Sequence, residues 1–288
     1  MYPANVDYYR AGSVAEAIRL LGQHQDSKLI AGGHSLVPLM KLRLATPSTL
    51  IDIGRLSELS GVSVNNGTVS IGALTTHTQL ASSADLGREC PMIPEAAGMI
   101  GDRIVRNHGT IGGNIVHSDP ASDLPTVLTA LGARIKATGP GGDRIVDVSD
   151  FFLGLLTTAL SENEVLTSIE VPAIRSNQGM AYVKFPHPAS RYAVVGAAAS
   201  VTVQGGRCTA VSVAVGGVEP NPTRAASVES ALVGKEASES AIAVAAKAVA
   251  HDLGTDLMSD VFASGEYRKA MAEVYVNRVL TAAVARAG

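Results

Sequence analysis

The chain has 288 residues, 46% of them hydrophobic and 17% charged, which is enough for a large buried core in about two domains. Lys and Arg number 23 and Asp and Glu 26, and this net charge of −3 argues against nucleic-acid binding. The two cysteines are too few for a four-cysteine zinc site or an iron–sulfur cluster, so we expect both to be reduced and buried. No stretch has the pattern of a secretory signal or a membrane span, so we expect a cytoplasmic protein without a metal site.

The first part of the chain alternates helix and strand signals. Ser13 and Glu16 predict a capping box, in which each side chain accepts a hydrogen bond from the other residue's backbone at the start of a helix. Short apolar strands are predicted at residues 28–31 and 50–53. Alternating apolar residues over 62–71, with Asn-Gly between them, predict a hairpin.

The sequence beyond residue 75 predicts further helices and strands. Middle elements are predicted as helices at 76–82, 94–101 and 124–131, and as strands at 134–138, 144–148 and 165–171. The polar stretch 176–179 is the best linker candidate. Apolar strands at 193–203 and 207–215 are then followed by Ala-rich helices at 238–250 and 268–287. Because strands precede helices in this last part, an α+β class is favoured over a doubly wound sheet.

Two glycine pairs carry the main functional signal. Gly32-Gly33 and Gly112-Gly113 each follow an apolar stretch and precede a polar residue. Glycine permits positive φ, and successive N–H groups in such a turn form an anion-binding nest. We therefore expect two nests that hold a diphosphate from both sides; the alternative is two ordinary turns at strand ends. Neither segment has the pattern of a dinucleotide fingerprint or a P-loop, which argues against a Rossmann domain and a P-loop NTPase.

The residues around both pairs resemble those of a known family. Residues 31–41, AGGHSLVPLMK, and 106–114, RNHGTIGGN, resemble the two flavin loops in the FAD-binding medium subunits of molybdenum hydroxylases. Residues 119–125, DPASDLP, follow the second loop as they do in that family. The resemblance extends over the whole chain, and within the family it is nearest to complexes that oxidise carbon monoxide.

The resemblance implies an FAD-binding fold of the vanillyl-alcohol-oxidase (PCMH) type. An FAD-binding domain is expected over residues 1–177, with two α+β subdomains at about 1–55 and 56–177. A C-terminal domain over 178–288 is expected to combine a small antiparallel sheet with helices. These boundaries follow from the resemblance and from the change in character near residue 177.

The resemblance also assigns roles to residues at the cofactor. The two loops enclose the FAD diphosphate, Asp123 accepts hydrogen bonds from a sugar or ribityl hydroxyl, and Leu166 makes an apolar contact on the flavin side. Lys184 contacts the flavin, and we hypothesise that Tyr192 stacks against the isoalloxazine ring or shields it. The expected cofactor-binding residues are Ala31, Gly32, Gly33, His34, Ser35, Thr110, Ile111, Gly112, Gly113, Asn114, Asp123, Leu166, Lys184 and Tyr192.

The residues themselves leave alternatives open. Asp123 is also suited to N-cap the helix that follows it, Lys184 to be a surface lysine, and Tyr192 to be a core tyrosine. Arg103 and Arg106, before the second loop, would balance the diphosphate charge or pair with carboxylates, and we favour pairing. No residue is assigned as a catalytic acid, base or nucleophile.

The resemblance implies partners. FAD is expected in this chain, a molybdopterin cofactor in a large subunit, and [2Fe–2S] clusters in a small subunit, assembled as a dimer of heterotrimers. Electrons are expected to leave the flavin for a quinone, NAD or oxygen, and the complex to associate at most with the inner face of the membrane. The alternatives are the same role in an N-heterocycle or aldehyde hydroxylase and a self-sufficient FAD reductase, for which no catalytic acid is evident.

Overall fold

The computed structural model describes residues 2–287. Its strands are β1 Asp7–Arg10, β2 Ser27–Ile30, β3 Thr49–Asp52, β4 Val62–Asn65, β5 Thr68–Gly72, β6 Arg134–Gly139, β7 Gly142–Asp147, β8 Phe152–Gly154, β9 Thr157–Thr158, β10 Val165–Pro172, β11 Gln178–Pro186, β12 Ala193–Gln204, β13 Arg207–Gly216 and β14 Thr223–Arg224. Its α-helices are α1 Val14–Gln23, α2 Leu36–Lys41, α3 His77–Ser82, α4 Ala84–Glu89, α5 Met92–Met99, α6 Arg103–His108, α7 Ile111–His117, α8 Asp123–Leu131, α9 Val148–Phe151, α10 Ala226–Leu232, α11 Glu239–Lys247, α12 Val249–Asp252 and α13 Gly265–Ala287.

The N-terminal sheet is parallel, with strand order β1-β3-β2. Helix α1 buries Ala17 and Leu20 in the same apolar cluster as strand β3. The Ser13 hydroxyl accepts the Glu16 N–H at 3.1 Å, as predicted. The other half of the predicted capping box is wrong, because the Glu16 carboxylate accepts the N–H of Gly12, at 2.8 Å, instead of that of Ser13.

The second sheet is antiparallel, with order β4-β5-β10-β6-β7. Asn66 and Gly67 join β4 to β5 with φ of 50° and 75°, the left-handed pair that a tight hairpin turn needs, so this predicted hairpin is confirmed. Apolar side chains of α3, α5 and α8 cover the sheet and form the largest buried cluster. The cysteines are free and buried, as predicted, and burial raises the pKa of the Cys90 thiol to about 12.

The C-terminal sheet is antiparallel, with order β11-β12-β13-β14. Strand β12 is buried on both faces. Ala197 and Ala199 point into the cluster formed with α13, whereas Ala198 points into the cluster formed with α8. This explains why β12 is almost continuously apolar instead of alternating. The predicted pair of strands and the C-terminal helix are therefore confirmed.

The predicted linker is wrong in its second half. Gln178 and Gly179 already belong to β11, where helix α13 lies so close that a Cβ on Gly179 would be 1.9 Å from the Ala283 carbonyl oxygen. Arg286 of the same helix donates two hydrogen bonds, both of 2.8 Å, to the Glu95 carboxylate of α5. Helix α13 thus packs on β11 and also contacts α5 of the N-terminal part of the chain.

Candidate cofactor site

The first glycine loop, residues 31–35, joins β2 to α2. Gly33 has φ of +71°, which an L side chain adopts only with strain, so this glycine is needed for the backbone conformation. The His34 ring nitrogen Nδ1 lies 2.9 Å from the Gly32 carbonyl oxygen and steadies the turn. Within residues 2–287, no protein group accepts the backbone N–H groups of residues 32–35. The loop therefore has the properties of the predicted nest.

The second glycine pair is not a nest, and the corresponding expectation is wrong. Gly112 and Gly113 lie in the first turn of α7, and neither has positive φ. Their N–H groups are already used, by the Ala73 carbonyl at 2.8 Å and by the Thr110 hydroxyl at 3.2 Å. Thr110 is the N-cap of the helix, which is why the chain becomes helical here despite two glycines.

Close backbone approach explains Gly112, whereas Gly113 is exposed and has only one side-chain atom near the position of an added Cβ. A Cβ on Gly112 would lie 2.7 Å from the Cβ of Ala73, so the helix packs on that residue at backbone distance. Gly113 is exposed, and its Cβ would meet only the Thr110 hydroxyl, at 2.9 Å. The second loop thus supplies a hydroxyl and an exposed glycine surface instead of backbone donors.

The two loops lie against each other. A Cβ on Gly32 would be 2.0 Å from the carbonyl oxygen of His108. The imidazole rings of His34 and His108 are stacked, with centroids 5.1 Å apart and planes 7° from parallel. Both rings are exposed, so the two loops share one accessible junction.

His77 underlies this junction and was not predicted as a site residue. Its backbone N–H donates to the Gly109 carbonyl at 2.9 Å, and its side chain is 3% exposed. Burial, and then the charges of Arg106 and His34, lower the pKa of His77 to about 4, so the ring is neutral near pH 7. Its Nδ1 atom has no hydrogen-bond partner among the described residues. Nothing local in the sequence marks this histidine, because the loop that buries it lies some thirty residues further along the chain.

The expected pairing of Arg106 with a carboxylate is wrong. Instead of pairing with a carboxylate, its guanidinium donates to the carbonyl oxygens of Ile100 and Gly101, at 2.8 and 3.2 Å, just beyond the end of α5. Neither Arg103 nor Arg106 takes part in an ion pair within residues 2–287. The positive charge of Arg106 therefore stays uncompensated beside the loop junction.

Asn114 links the second loop to a buried charge cluster. Its side-chain amide donates to the Ser122 hydroxyl at 3.1 Å, while its carbonyl oxygen Oδ1 is buried and has no partner within the described chain. Ser122, not Asp123, occupies the N-cap position of α8, so the capping alternative for Asp123 is wrong. The unpartnered Oδ1 is an acceptor that a ligand hydroxyl would satisfy.

Asp123 is the centre of the buried cluster. Its carboxylate accepts from the Tyr182 hydroxyl at 2.5 Å and from the Lys184 ammonium at 2.9 Å. Burial raises the pKa of the Asp123 carboxyl, and the Lys184 charge and the Tyr182 hydrogen bond oppose that rise. Burial, followed by the Asp123 charge, raises the pKa of Tyr182 well above its usual value, so this hydroxyl stays a donor. Tyr182 was missed, although its position two residues before Lys184 on a strand places both on one face.

Lys184 is fully engaged. Besides Asp123, its ammonium donates to the carbonyl oxygens of Met99 at 3.0 Å and Arg191 at 2.7 Å, and its side chain is 3% exposed. The alternative of a surface lysine is therefore wrong. Because Lys184 contacts the backbone of the residue before Tyr192, the buried pair helps to position that tyrosine.

Tyr192 and Leu166 differ in accessibility. Tyr192 is 44% exposed, which excludes a core position. Partial burial and the nearby carboxylates of Asp119 and Asp123 raise the pKa of Tyr192. Leu166 is 5% exposed, in the main apolar cluster on β10, so it offers a ligand little surface.

Comparisons with known proteins agree with this geometry. The family model for the FAD-binding domain in molybdopterin dehydrogenase matches residues 4–174, and that for the CO dehydrogenase flavoprotein C-terminal domain matches 180–283. The chain belongs to the FAD-binding medium subunits of molybdenum hydroxylases. Its predicted family, its mixed helix-and-sheet fold, its cofactor FAD and its membership of an oxidoreductase complex are thereby confirmed.

Relatives of the family span several substrates. The chain is 41% identical to the carbon monoxide dehydrogenase medium chain of Hydrogenophaga pseudoflava, with 99% of both chains covered. It is 38% identical to the glyceraldehyde dehydrogenase medium chain of Sulfolobus acidocaldarius, covering 95% of this chain and 96% of that one. Its structure matches quinoline 2-oxidoreductase of Pseudomonas putida 86 with a TM-score of 0.94 at 33% identity, covering 100% of this chain and 99% of that one.

The chemistry of the residues at the site fits FAD. A run of unpaired N–H groups suits an anionic diphosphate, and the orphaned Asn114 oxygen suits a hydroxyl donor. Within residues 2–287 no cluster of three or more His, Cys, Asp or Glu side chains could hold a metal ion. No helix in that part of the chain is long and apolar enough to cross a membrane.

Proposed function

We propose that this medium subunit carries electrons from [2Fe–2S] clusters of a small partner subunit to an external acceptor, within a hydroxylase complex whose large subunit holds the molybdenum cofactor. FAD supplies the chemistry that joins one-electron donors to a two-electron acceptor. The chain's own task is to bind, orient and shield that cofactor. The proposal includes a dimer of heterotrimers and the division of the chain near residue 177.

The observation that carries the proposal is the asymmetry of the two loops. Residues 32–35 offer consecutive N–H donors that have no acceptor among residues 2–287, and Gly113 places no side chain on the facing surface. A diphosphate between them would receive donors from the first loop and the Thr110 hydroxyl from the second. The uncompensated Arg106 charge favours an anion at the same junction.

The buried cluster supports the flavin end of the proposed site. Asp123 and Lys184 satisfy each other, so a direct contact of Lys184 with the flavin requires it to release one of its three acceptors. A carboxylate has several acceptor positions, and Asp123 retains capacity for a cofactor hydroxyl. In our proposal Leu166 closes the apolar side and Tyr192 covers the ring.

The role of Tyr192 has a matched control. Tyr192 and Tyr267 are 44% and 46% exposed, and only Tyr192 adjoins the Asp123–Lys184 cluster. We expect Tyr192→Ala to alter the visible flavin spectrum and to lower FAD retention, and Tyr267→Ala to change neither. An unaltered spectrum and full retention in Tyr192→Ala would contradict the proposed cover.

Carbon monoxide is the substrate we favour for the complex. The carbon monoxide dehydrogenase medium chains of two organisms are 41% and 38% identical to this chain over nearly its full length. Oxidation of an aldehyde is the second candidate, since the glyceraldehyde dehydrogenase medium chain is also 38% identical. The substrate would react at the molybdenum subunit, so the medium subunit itself does not distinguish the two.

Native isolation tests the whole proposal. The tagged chain should co-purify with molybdenum and iron in separate subunits, and its own bound flavin should be identified as FAD. Under anaerobic conditions, carbon monoxide should bleach the flavin absorbance of the complex, whereas an aldehyde should not. The chain without partners should not be bleached by either substrate. Bleaching of the isolated chain by a substrate would contradict an electron-transfer role and favour a self-sufficient reductase.

A further inference from the structure

The segment that follows α2 ends in a Schellman turn with an unusual residue in its left-handed position. The Leu44 N–H donates to the Leu39 carbonyl at 2.9 Å and the Arg43 N–H to the Met40 carbonyl at 3.0 Å, which is the hydrogen-bond pair of that motif. Its left-handed position, here with φ of 58°, is normally glycine but is occupied by Arg43. The strain that a Cβ adds there has no evident benefit for the fold.

The turn also displays apolar side chains that would ordinarily be packed. In a Schellman motif the residue after the left-handed one contacts the helix, yet Leu44 is 73% exposed. Leu42 is 56% exposed and Tyr2 is 86% exposed. The carbonyl oxygen of Tyr2 lies 3.5 Å from Nε of Arg43. These residues and the exposed Lys41 form what we call the Leu42 patch, defined by Tyr2, Lys41, Leu42, Arg43 and Leu44.

The charge of the Leu42 patch restricts what covers it. Lys41 and Arg43 are both cationic, and neither takes part in an ion pair within residues 2–287. A two-fold contact with a second copy would bring these cations together, which disfavours self-association. A surface complementary to the patch would have an apolar centre and a rim of carboxylates.

The position of the patch is the basis for the choice of partner. Helix α2 has six residues, about 9 Å, and it connects the patch directly to the first loop, which we assign to the FAD diphosphate. A protein that donates electrons to the flavin must dock close to the site, so its contact surface is expected beside one of these loops. We propose that the Leu42 patch docks the iron–sulfur subunit through an apolar centre ringed by that subunit's carboxylates. The inference rests on the proposed electron-transfer function.

Binding of the FAD-loaded chain to the separately purified iron–sulfur subunit tests this docking site. Calorimetric titration should show that Leu44→Ser and Arg43→Glu each weaken binding by about tenfold or more. Arg43→Gly should weaken binding while its unfolding midpoint stays the same or rises, because glycine relieves the left-handed strain. Raising salt from about 50 to 300 mM should weaken wild-type binding more than that of Arg43→Gly.

Two exposed residues of the C-terminal part of the chain serve as matched controls. Val244 is 70% exposed, close to the 73% of Leu44, and Lys235 is an exposed cation. Val244→Ser and Lys235→Glu should bind with wild-type affinity. Equal affinities for patch and control variants would overturn the docking site, as would absence of wild-type binding. Each variant's FAD absorbance is measured in parallel, so loss of docking with full FAD content is distinct from failure of the flavin role.

Discussion

The two glycine pairs of the site have the same sequence, but glycine is needed in each for a different physical reason. In the first loop, Gly33 needs positive φ and Gly32 allows the chain to pass His108 at backbone distance. In the second pair, Gly112 allows the start of a helix to pack on Ala73. Gly113 has neither a positive φ nor a close backbone contact that would require glycine. The first loop contributes donors and the second contributes space. A glycine pair therefore indicates close approach, and only the backbone geometry distinguishes a nest from a helix start.

Gly32→Ala should have the largest effect on folding. Its Cβ would lie 2.0 Å from a backbone oxygen, so the two loops must separate, at a cost of about 3 kcal/mol or more. Urea unfolding of the FAD-free protein measures this loss. Gly22→Ala in α1 is the control, because nothing lies within 4 Å of its added Cβ. An unchanged midpoint in Gly32→Ala would mean that the loops are not in contact.

Acid should lower the stability of the folded protein through protonation of His77. The folded pKa of about 4 lies below the unfolded value of 6.5, so the unfolded chain binds an extra proton between these values. Stability is therefore greatest above pH 6.5 and falls as pH decreases towards 4, by about 3 kcal/mol in total. His77→Gln should flatten the pH dependence of the urea midpoint over this window. An equal slope in both proteins would contradict the buried neutral ring.

Gly33→Ala should cost less, about 1–2 kcal/mol, because the strain is confined to one left-handed residue. The added Cβ would be 3.2 Å from Val37 Cγ2, a side-chain atom that is able to shift. Gly33→Asn should lose less stability than Gly33→Ala, since asparagine tolerates the left-handed region. Urea midpoints decide the order, and equal losses for both variants would argue against a backbone origin.

Much of the fold was predictable because its signals are local. The Asn66-Gly67 turn and the apolar run of β12 each specify their element without help from distant residues. The start of α7 was not predictable in this way. Two glycines disfavour a helix by about 1 kcal/mol each, and tertiary hydrogen bonds from Ile111 to Thr75 and from Gly112 to Ala73 override that preference.

The site was predictable only in part, for the same reason. The resemblance selected both loops, and the structure brings them together at Gly32 and His108. It did not indicate that Asp123 and Lys184, 61 residues apart, neutralise each other within hydrogen-bond distance. Nor did it indicate His77, whose burial depends on the packing of Gly109. Pairings across such separations depend on the tertiary fold, which a local motif does not encode.

Gly113→Ala has the smallest expected effect on folding and tests the central claim most directly. Alanine is favoured over glycine in a helix by up to about 1 kcal/mol, and this gain offsets the small shift that the new Cβ, 2.9 Å from the Thr110 hydroxyl, imposes on that side chain. The FAD-free protein should therefore have a stability close to that of wild type. The new methyl group would occupy the open surface that we assign to the diphosphate. Gly98→Ala is the control, because Gly98 is also exposed and helical and no described atom lies within 4 Å of its added Cβ.

The decisive measurement is FAD affinity of the two alanine variants, by titration of the FAD-free proteins with flavin fluorescence. Our account predicts that Gly113→Ala binds FAD about tenfold more weakly or worse, with a urea midpoint close to that of wild type, and that Gly98→Ala binds like wild type. Wild-type affinity in Gly113→Ala would contradict the placement of the diphosphate between the two loops.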